Sequence, residues 1–232
     1  MPAVRSRSAA GLLTGLLVLA GCGDLEDAAA AKGIASNNLA SQMVMQLAAS
    51  SSLTYTASYR LAGGGDATLT QDRKPVRTAF AYPGGRLLIT DKSVTACRNA
   101  KRPLCTITSP PQGGARLPAR TFADVQQTGM IAPATVTALL DAAALDETVK
   151  LTPHDTTVAG RHATCLDLAG LDDASARDFR VCVTSDGVLG TFAGTVEGAE
   201  IDMTMSDYEP SAPATAFTPP PGAVLTDRRT PA

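Results

Sequence analysis

The residues that could do covalent or metal chemistry are few: 2 histidines, 5 cysteines and no tryptophan in a chain of 232 residues. His154 and His162 stand 8 positions apart in Thr- and Asp-rich, turn-like segments, which makes neither an HExxH zinc helix nor a pair placed to share a metal. His154-Asp155 beside Thr156 has the makings of a general base with an orienting carboxylate, but in that setting it reads as a solvated turn. The adjacent carboxylates Asp172-Asp173 lie among Gly, Ala and Ser and read as loop solubility, with a weak cation contact as the rival reading. There is no Gly-x-Ser-x-Gly elbow, no CxxC redox pair and no Gly-rich phosphate loop. Catalysis is not expected, and neither is a cofactor or a metal.

The cysteines point to an address instead. Cys97, Cys105, Cys165 and Cys182 form an even set without zinc-type CxxC spacing, which suits a compartment that permits disulfides. Four cysteines allow three pairings. The local ones, Cys97–Cys105 and Cys165–Cys182, are favoured because each joins segments that read as neighbouring strands. On the chain-entropy view the longer loop stabilises by about 3 kcal/mol. Cys22 belongs elsewhere. Arg5 and Arg7 precede an uncharged, mostly apolar stretch from Ala9 to Ala20, the length of a signal-peptide core, whereas a spanning helix needs about 20 residues. The stretch ends Leu19-Ala20-Gly21-Cys22, which resembles a bacterial lipobox. That resemblance implies removal of residues 1–21, a diacylglyceryl thioether on Cys22 and a lipid anchor to the membrane; an ordinary secretory leader with a chance cysteine is the alternative. One acyl chain binds a bilayer marginally and two bind it stably. The expected location is the extracytoplasmic face of a bacterial cell membrane, tethered and not embedded.

Composition narrows the function classes. Lys and Arg number 20 against 22 Asp and Glu, so no basic excess exists to neutralise phosphates, and nucleic acid is not an expected partner. Loss of Arg5 and Arg7 with the leader makes the mature chain more acidic still. Aromatic residues are 4 % of the chain, too scarce for stacking platforms, while 44 % hydrophobic residues suffice for a core. The chain is expected to be a monomer.

The elements follow from periodicity. Residues 22–33 read as the lipidated cysteine and a polar tether, and 34–223 as a single domain. From Ile34 to Ala49 a helical stripe holds Leu39, Met43 and Leu47 with Ala40, Val44 and Ala48, ended by Ser50-Ser51-Ser52. Leu53 to Leu61 then alternates apolar and polar at period 2, a half-buried strand. Further strands are expected at 67–71, 76–82, 86–90, 93–97 and 104–107, joined by short turns as an antiparallel meander. Residues 109–120 read as an exposed Pro/Gly loop, 122–127 as a weak short helix, and Pro133 opens a helix to Ala144 with Val136, Leu139 and Leu140 on one face. Strands resume at 148–152, 155–158, 163–168, 179–184, 188–193 and 200–208, with Ser185-Asp186-Gly187 as a hairpin turn. Beyond Ala223 the Pro/Ala-rich end reads as a disordered tail, 224–232. The layer plan is α+β: about eleven antiparallel strands forming a strongly curved half-barrel sheet that wraps two or three helices.

That order, lipobox, tether, amphipathic helix and the first strand Ser52–Leu61 (SLTYTASYRL), resembles the actinobacterial LppX/LprAFG-type lipoproteins of the LolA-like superfamily. The stretch Val158–Phe192, with its Gly turn, cysteine strand and Asp-Gly hairpin, and the Pro-rich close Asp207–Ala223 are similar too. The resemblance implies a half-barrel with a helix-plugged apolar cavity that in relatives holds acyl chains, and hence a lipid or other lipophile as ligand. The residues placed to line such a cavity are Leu39, Met43, Val44 and Leu47 of the first helix, Val136, Leu139 and Leu140 of the middle helix, and Tyr55, Tyr59, Phe80, Phe179 and Val181 of the strands. Plain core packing is the competing reading of each. A second function class is a sensor or scaffold that binds another envelope protein through exposed loop residues such as Met130 and Ile131.

Overall fold

In the computed structural model the described residues are 38–111, 117–172 and 174–229. The leader 1–21, the lipidation site Cys22, the tether, Asp173 and the last three residues lie outside them. The described chain forms helix α1 at 38–50, then strands β1 (Tyr55–Leu61), β2 (Asp66–Arg73), β3 (Val76–Tyr82), β4 (Gly85–Thr90), β5 (Val94–Arg98) and β6 (Leu104–Thr108). A short helix α2 (Ala123–Gln126) and helix α3 (Pro133–Leu145) follow. The chain continues with β7 (Lys150–Val158), β8 (Arg161–Ala169), β9 (Phe179–Thr184), β10 (Leu189–Val196), β11 (Ala199–Glu209) and β12 (Val224–Asp227).

The strands make one curved, unclosed 12-stranded sheet in the order β12-β6-β5-β4-β3-β2-β1-β11-β10-β9-β8-β7. Two antiparallel meanders therefore lie side by side. The first runs outward from β1 to β6; residues 117–149, carrying α2 and α3, lead to the far edge at β7; the second runs inward until β11 pairs with β1. Short turns cost little loop entropy, which is why consecutive strands pair. The period-2 pattern fixes the faces: Tyr55, Ala57, Tyr59 and Leu61 of β1 are buried and alternate with more exposed polar residues. Their cross-strand neighbours Leu69, Phe80, Leu87, Ile201, Met203 and Met205 continue the same inner face into one cluster with Met43 and Leu47 of α1 and Val136, Leu139 and Leu140 of α3. Each such fully buried aliphatic side chain contributes about 1.5–3 kcal/mol.

Both local disulfides are present, Cys97–Cys105 joining β5 to β6 and Cys165–Cys182 joining β8 to β9, each between directly opposed residues. Gly187 is the point where the β9–β10 hairpin meets α1. It has φ +83°, and a Cβ there would lie 2.3 Å from the Gln46 carbonyl oxygen.

Three expectations need correction. The segments 148–152 and 155–158 are one strand, β7, which runs through Pro153 because an edge strand has no need of that missing N–H. His154 consequently sits in a strand and not in a turn. Of the 224–232 tail, the described part is not without structure: β12 pairs parallel to β6, the Val224 N–H donates to Pro103 O (2.8 Å) and the Arg228 N–H to Ile107 O (2.8 Å). Residues 211–223 reach that edge by crossing the outer face of the sheet. There Thr56 Oγ1 donates to Ser211 O at 2.8 Å, the Arg77 guanidinium lies 4.0 Å over the Phe217 ring, and Arg86 Nη1 donates to Thr218 O at 3.4 Å. Lastly, Met130 and Ile131, in the crossover between α2 and α3, are buried, 0 % and 1 % exposed, so they offer no docking surface. The Ile131 N–H is held by Met203 Sδ.

Candidate functional site

The helices do not fill the inner face evenly. Where α3 passes over β2, β3 and β4, a cavity of about 940 Å³ opens between them. Its roof is the side of α3 that carries Ala134, Ala138 and Ala142, spaced by four and so stacked along one stripe. Its floor is Leu69, Thr78, Phe80 and Ile89 of the sheet; Leu47 and Ser50 at the end of α1 close one side, and Leu117, Phe122 and Gln126 close another. The Phe80 and Phe122 rings meet edge to face, 5.8 Å between centroids, and set the depth of this wall. The opening lies along the alanine side of α3, where Ala134 and Ala138 are exposed and Ala142 is half-buried, while Val136, Leu139, Leu140 and Ala143 on the other side are packed.

Several polar groups around the cavity are engaged with the chain itself. Gln71 Nε2 donates to Ser50 O (2.6 Å) and Leu53 O (3.2 Å), which ties β2 to the end of α1. Ser50 Oγ donates to Leu47 O, Gln126 Nε2 to Val196 O and Thr137 Oγ1 to Pro133 O. What faces the space is therefore mainly methyl, methylene and ring surface, and Glu197 is the one charged residue among the described lining residues. Such a volume falls within the range of about 300–1,000 Å³ typical of small-molecule sites.

Of the residues expected to line a cavity, Leu47, Phe80 and Leu139 do so. Met43, Tyr55, Tyr59, Val136, Leu140, Phe179 and Val181 are buried in closed packing, while Leu39 and Val44 are partly buried against the same core. Tyr59 Oη donates to Leu189 O at 2.8 Å, deep under α1, and the Phe179 and Phe192 rings stack at 5.4 Å. Large side chains attract one another and exclude space; the hollow lies beside the small ones. The missed residues had a signal. Gln71 and Thr78 are polar at inward positions of otherwise apolar strand faces, and Ala134, Ala138 and Ala142 repeat at helical spacing.

A second chamber of about 680 Å³ adjoins the first, with Leu117 shared between them. Leu87, Val94 and Ala96 of β4 and β5 form its floor, and Pro110, Pro111 and Pro118 border it. Arg98 and Asp124 pair across it, Nε to Oδ2 at 3.1 Å. Burial, with the Asp124 carboxylate nearby, pushes the Tyr82 hydroxyl up to about 12.

The residues considered for chemistry are dispersed. His154 Nδ1 lies 3.5 Å from Asp167 Oδ2 on the exposed outer side of β7 and β8, Asp167 also pairs with Arg180, and Asp155 accepts a hydrogen bond from Thr164 Oγ1 and does not orient His154. Asp172 contacts Arg177 at 4.0 Å in a loop. No group of three or more metal-ligating side chains occurs among the described residues. No helix among the described residues is long and apolar enough to cross a membrane.

No family model matches the chain, and no curated protein sequence matches it. Among solved structures the chain is similar to an uncharacterized conserved protein from Thermus thermophilus, at 10 % identity and a TM-score of 0.48, covering 82 % of this chain and 99 % of that one.

Proposed function

We propose that this chain is a lipid-anchored protein of the extracytoplasmic face of a bacterial cell membrane, and that it binds a lipid or other lipophilic molecule between α3 and the inner sheet face without covalent chemistry. In this reading the open sheet is a half-barrel of the LppX/LprAFG type within the LolA-like superfamily, the leader ends at Gly21, and the diacylglyceryl group on Cys22 holds the domain near the bilayer from which its ligand comes. The observation that carries the proposal is the 940 Å³ cavity with its largely apolar lining, beside which Gln71 and Gln126 are engaged with the chain itself. Acyl chains ask only for dry aliphatic surface. About 14 buried methylenes release about 11 kcal/mol gross, and an association cost of about 4 kcal/mol leaves a Kd of about 10 µM.

The test is a titration of the delipidated mature protein with a fluorescent polyene fatty acid. Saturable one-site binding in the micromolar range, competed by ordinary fatty acids, is expected. Absence of saturable binding refutes the proposal.

A further inference from the structure

The two adjoining chambers differ in chemistry, and that difference specifies the ligand more narrowly than its greasiness does. The larger chamber is mainly apolar, and among the described residues its one charged lining residue is an acid, Glu197. The smaller has two arginines against one acid: Arg98, Arg120 and Asp124. Asp124 is engaged with Arg98 through Nε at 3.1 Å and Nη2 at 3.3 Å. Arg120 has no ion pair among the described residues, so the described lining of the smaller chamber carries one cation beyond its acid. Leu117 lines both spaces, so the two lie side by side with that side chain at their shared border.

We infer that the ligand is an anionic amphiphile, with its hydrocarbon in the larger chamber and its phosphate or carboxylate group beside Arg120 and Arg98 in the smaller one. This rests on the lipid-binding reading above and adds the charge and the direction of the bound molecule. The guanidinium groups supply paired N–H donors for either oxyanion. Arg98 can share its donors between Asp124 and the ligand, whereas Arg120 is free to turn toward it. Glu197 at the larger chamber disfavours the reversed orientation by like-charge repulsion.

The experiment compares laurate with dodecanol, which share a hydrocarbon tail and differ in charge, on the full mature protein and its Arg120→Gln and Asp124→Asn variants at low ionic strength. Arg120→Gln is expected to weaken laurate about three- to tenfold and to leave dodecanol unchanged, the range for a solvent-accessible ion pair with charge-assisted hydrogen bonds. Asp124→Asn is expected to tighten laurate, because it removes the competing carboxylate, and added salt is expected to shrink both effects. Dodecanol binding with laurate indifferent to both substitutions overturns the headgroup assignment alone. Failure of both ligands to bind the parent protein overturns the lipid-binding reading and this inference with it.

Discussion

Substitution of Ala138 by phenylalanine separates a ligand cavity from a mere packing gap. Ala138 is in the middle of α3 and faces the 940 Å³ space between Ala134 and Ala142, where its methyl group leaves room for a ring. A phenyl ring there takes the place of about four ligand methylenes, which at about 0.8 kcal/mol each is about 3 kcal/mol, or about 150-fold in Kd. The cost to the fold is small, because the ring enters open space and the loss of helix propensity from Ala to Phe is about 0.5 kcal/mol. The assay is fatty-acid titration alongside thermal unfolding of the parent, Ala138→Phe and a control, Leu145→Phe, at the 85 % exposed end of the same helix. The account expects Ala138→Phe to fold with a melting temperature within about 2 °C of the parent and to lose binding, with the control unchanged in both. Unaltered binding in Ala138→Phe refutes the placement of the ligand. A large loss of stability refutes the space itself, because overpacking a filled core costs about 1–3 kcal/mol.

Gly187→Ala is expected to cost at least about 2 kcal/mol in urea unfolding, from the left-handed backbone and from the clash with the Gln46 carbonyl, whereas Gly198→Ala, at φ +81° with open space around it, costs only the backbone share of about 1 kcal/mol. Burial raises the hydroxyls of Tyr55 and Tyr59 above their ordinary value and that of Tyr82 to about 12. The folded chain therefore keeps protons that the unfolded chain releases from about pH 10, and stability falls as pH rises from 10 toward 12 by about 1.4 kcal/mol per pH unit for each tyrosine. Denaturant unfolding across that range checks the slope, and a flat profile contradicts the burial of these hydroxyls. Cys22→Ala is expected to move the protein from the membrane fraction to the soluble one, and retention on the membrane rules out the lipid anchor.

The strands were legible because one face of each is buried, and burial on one face writes a period of 2 into the sequence. Leu53 to Leu61 follows that period and forms the strand from Tyr55 on, and Val76 to Tyr82 comes out as a strand with its bounds. The cysteine pairs were legible for the same reason, since adjacent antiparallel strands bring Cys97 opposite Cys105 and Cys165 opposite Cys182. The C-terminal strand was not. Val224–Asp227 is exposed on both sides and so has no alternation to read; its order comes from backbone hydrogen bonds to β6, which leave no trace in side-chain type. Pro153 concealed the continuity of β7, because a proline breaks a central strand but not this edge one. The cavity was only partly legible. An apolar stripe shows which residues seek a partner, and Met43, Val136 and Leu140 found theirs in one another and in the sheet. Empty volume is a property of the residues too short to meet: the helical spacing of Ala134, Ala138 and Ala142 is visible in the sequence, but what lies opposite them shows only once the helix is set beside β2 and β3.

The most direct measurement of whether the space between α3 and the sheet holds a lipid is organic extraction and mass spectrometry of the intact lipoprotein from its native membrane, with Ala138→Phe prepared in parallel. The account predicts an amphiphile in stoichiometric amount, distinct from the acyl groups on Cys22, from the parent and much less from the variant. An identical extract from both proteins, or no lipid beyond the anchor from either, contradicts it.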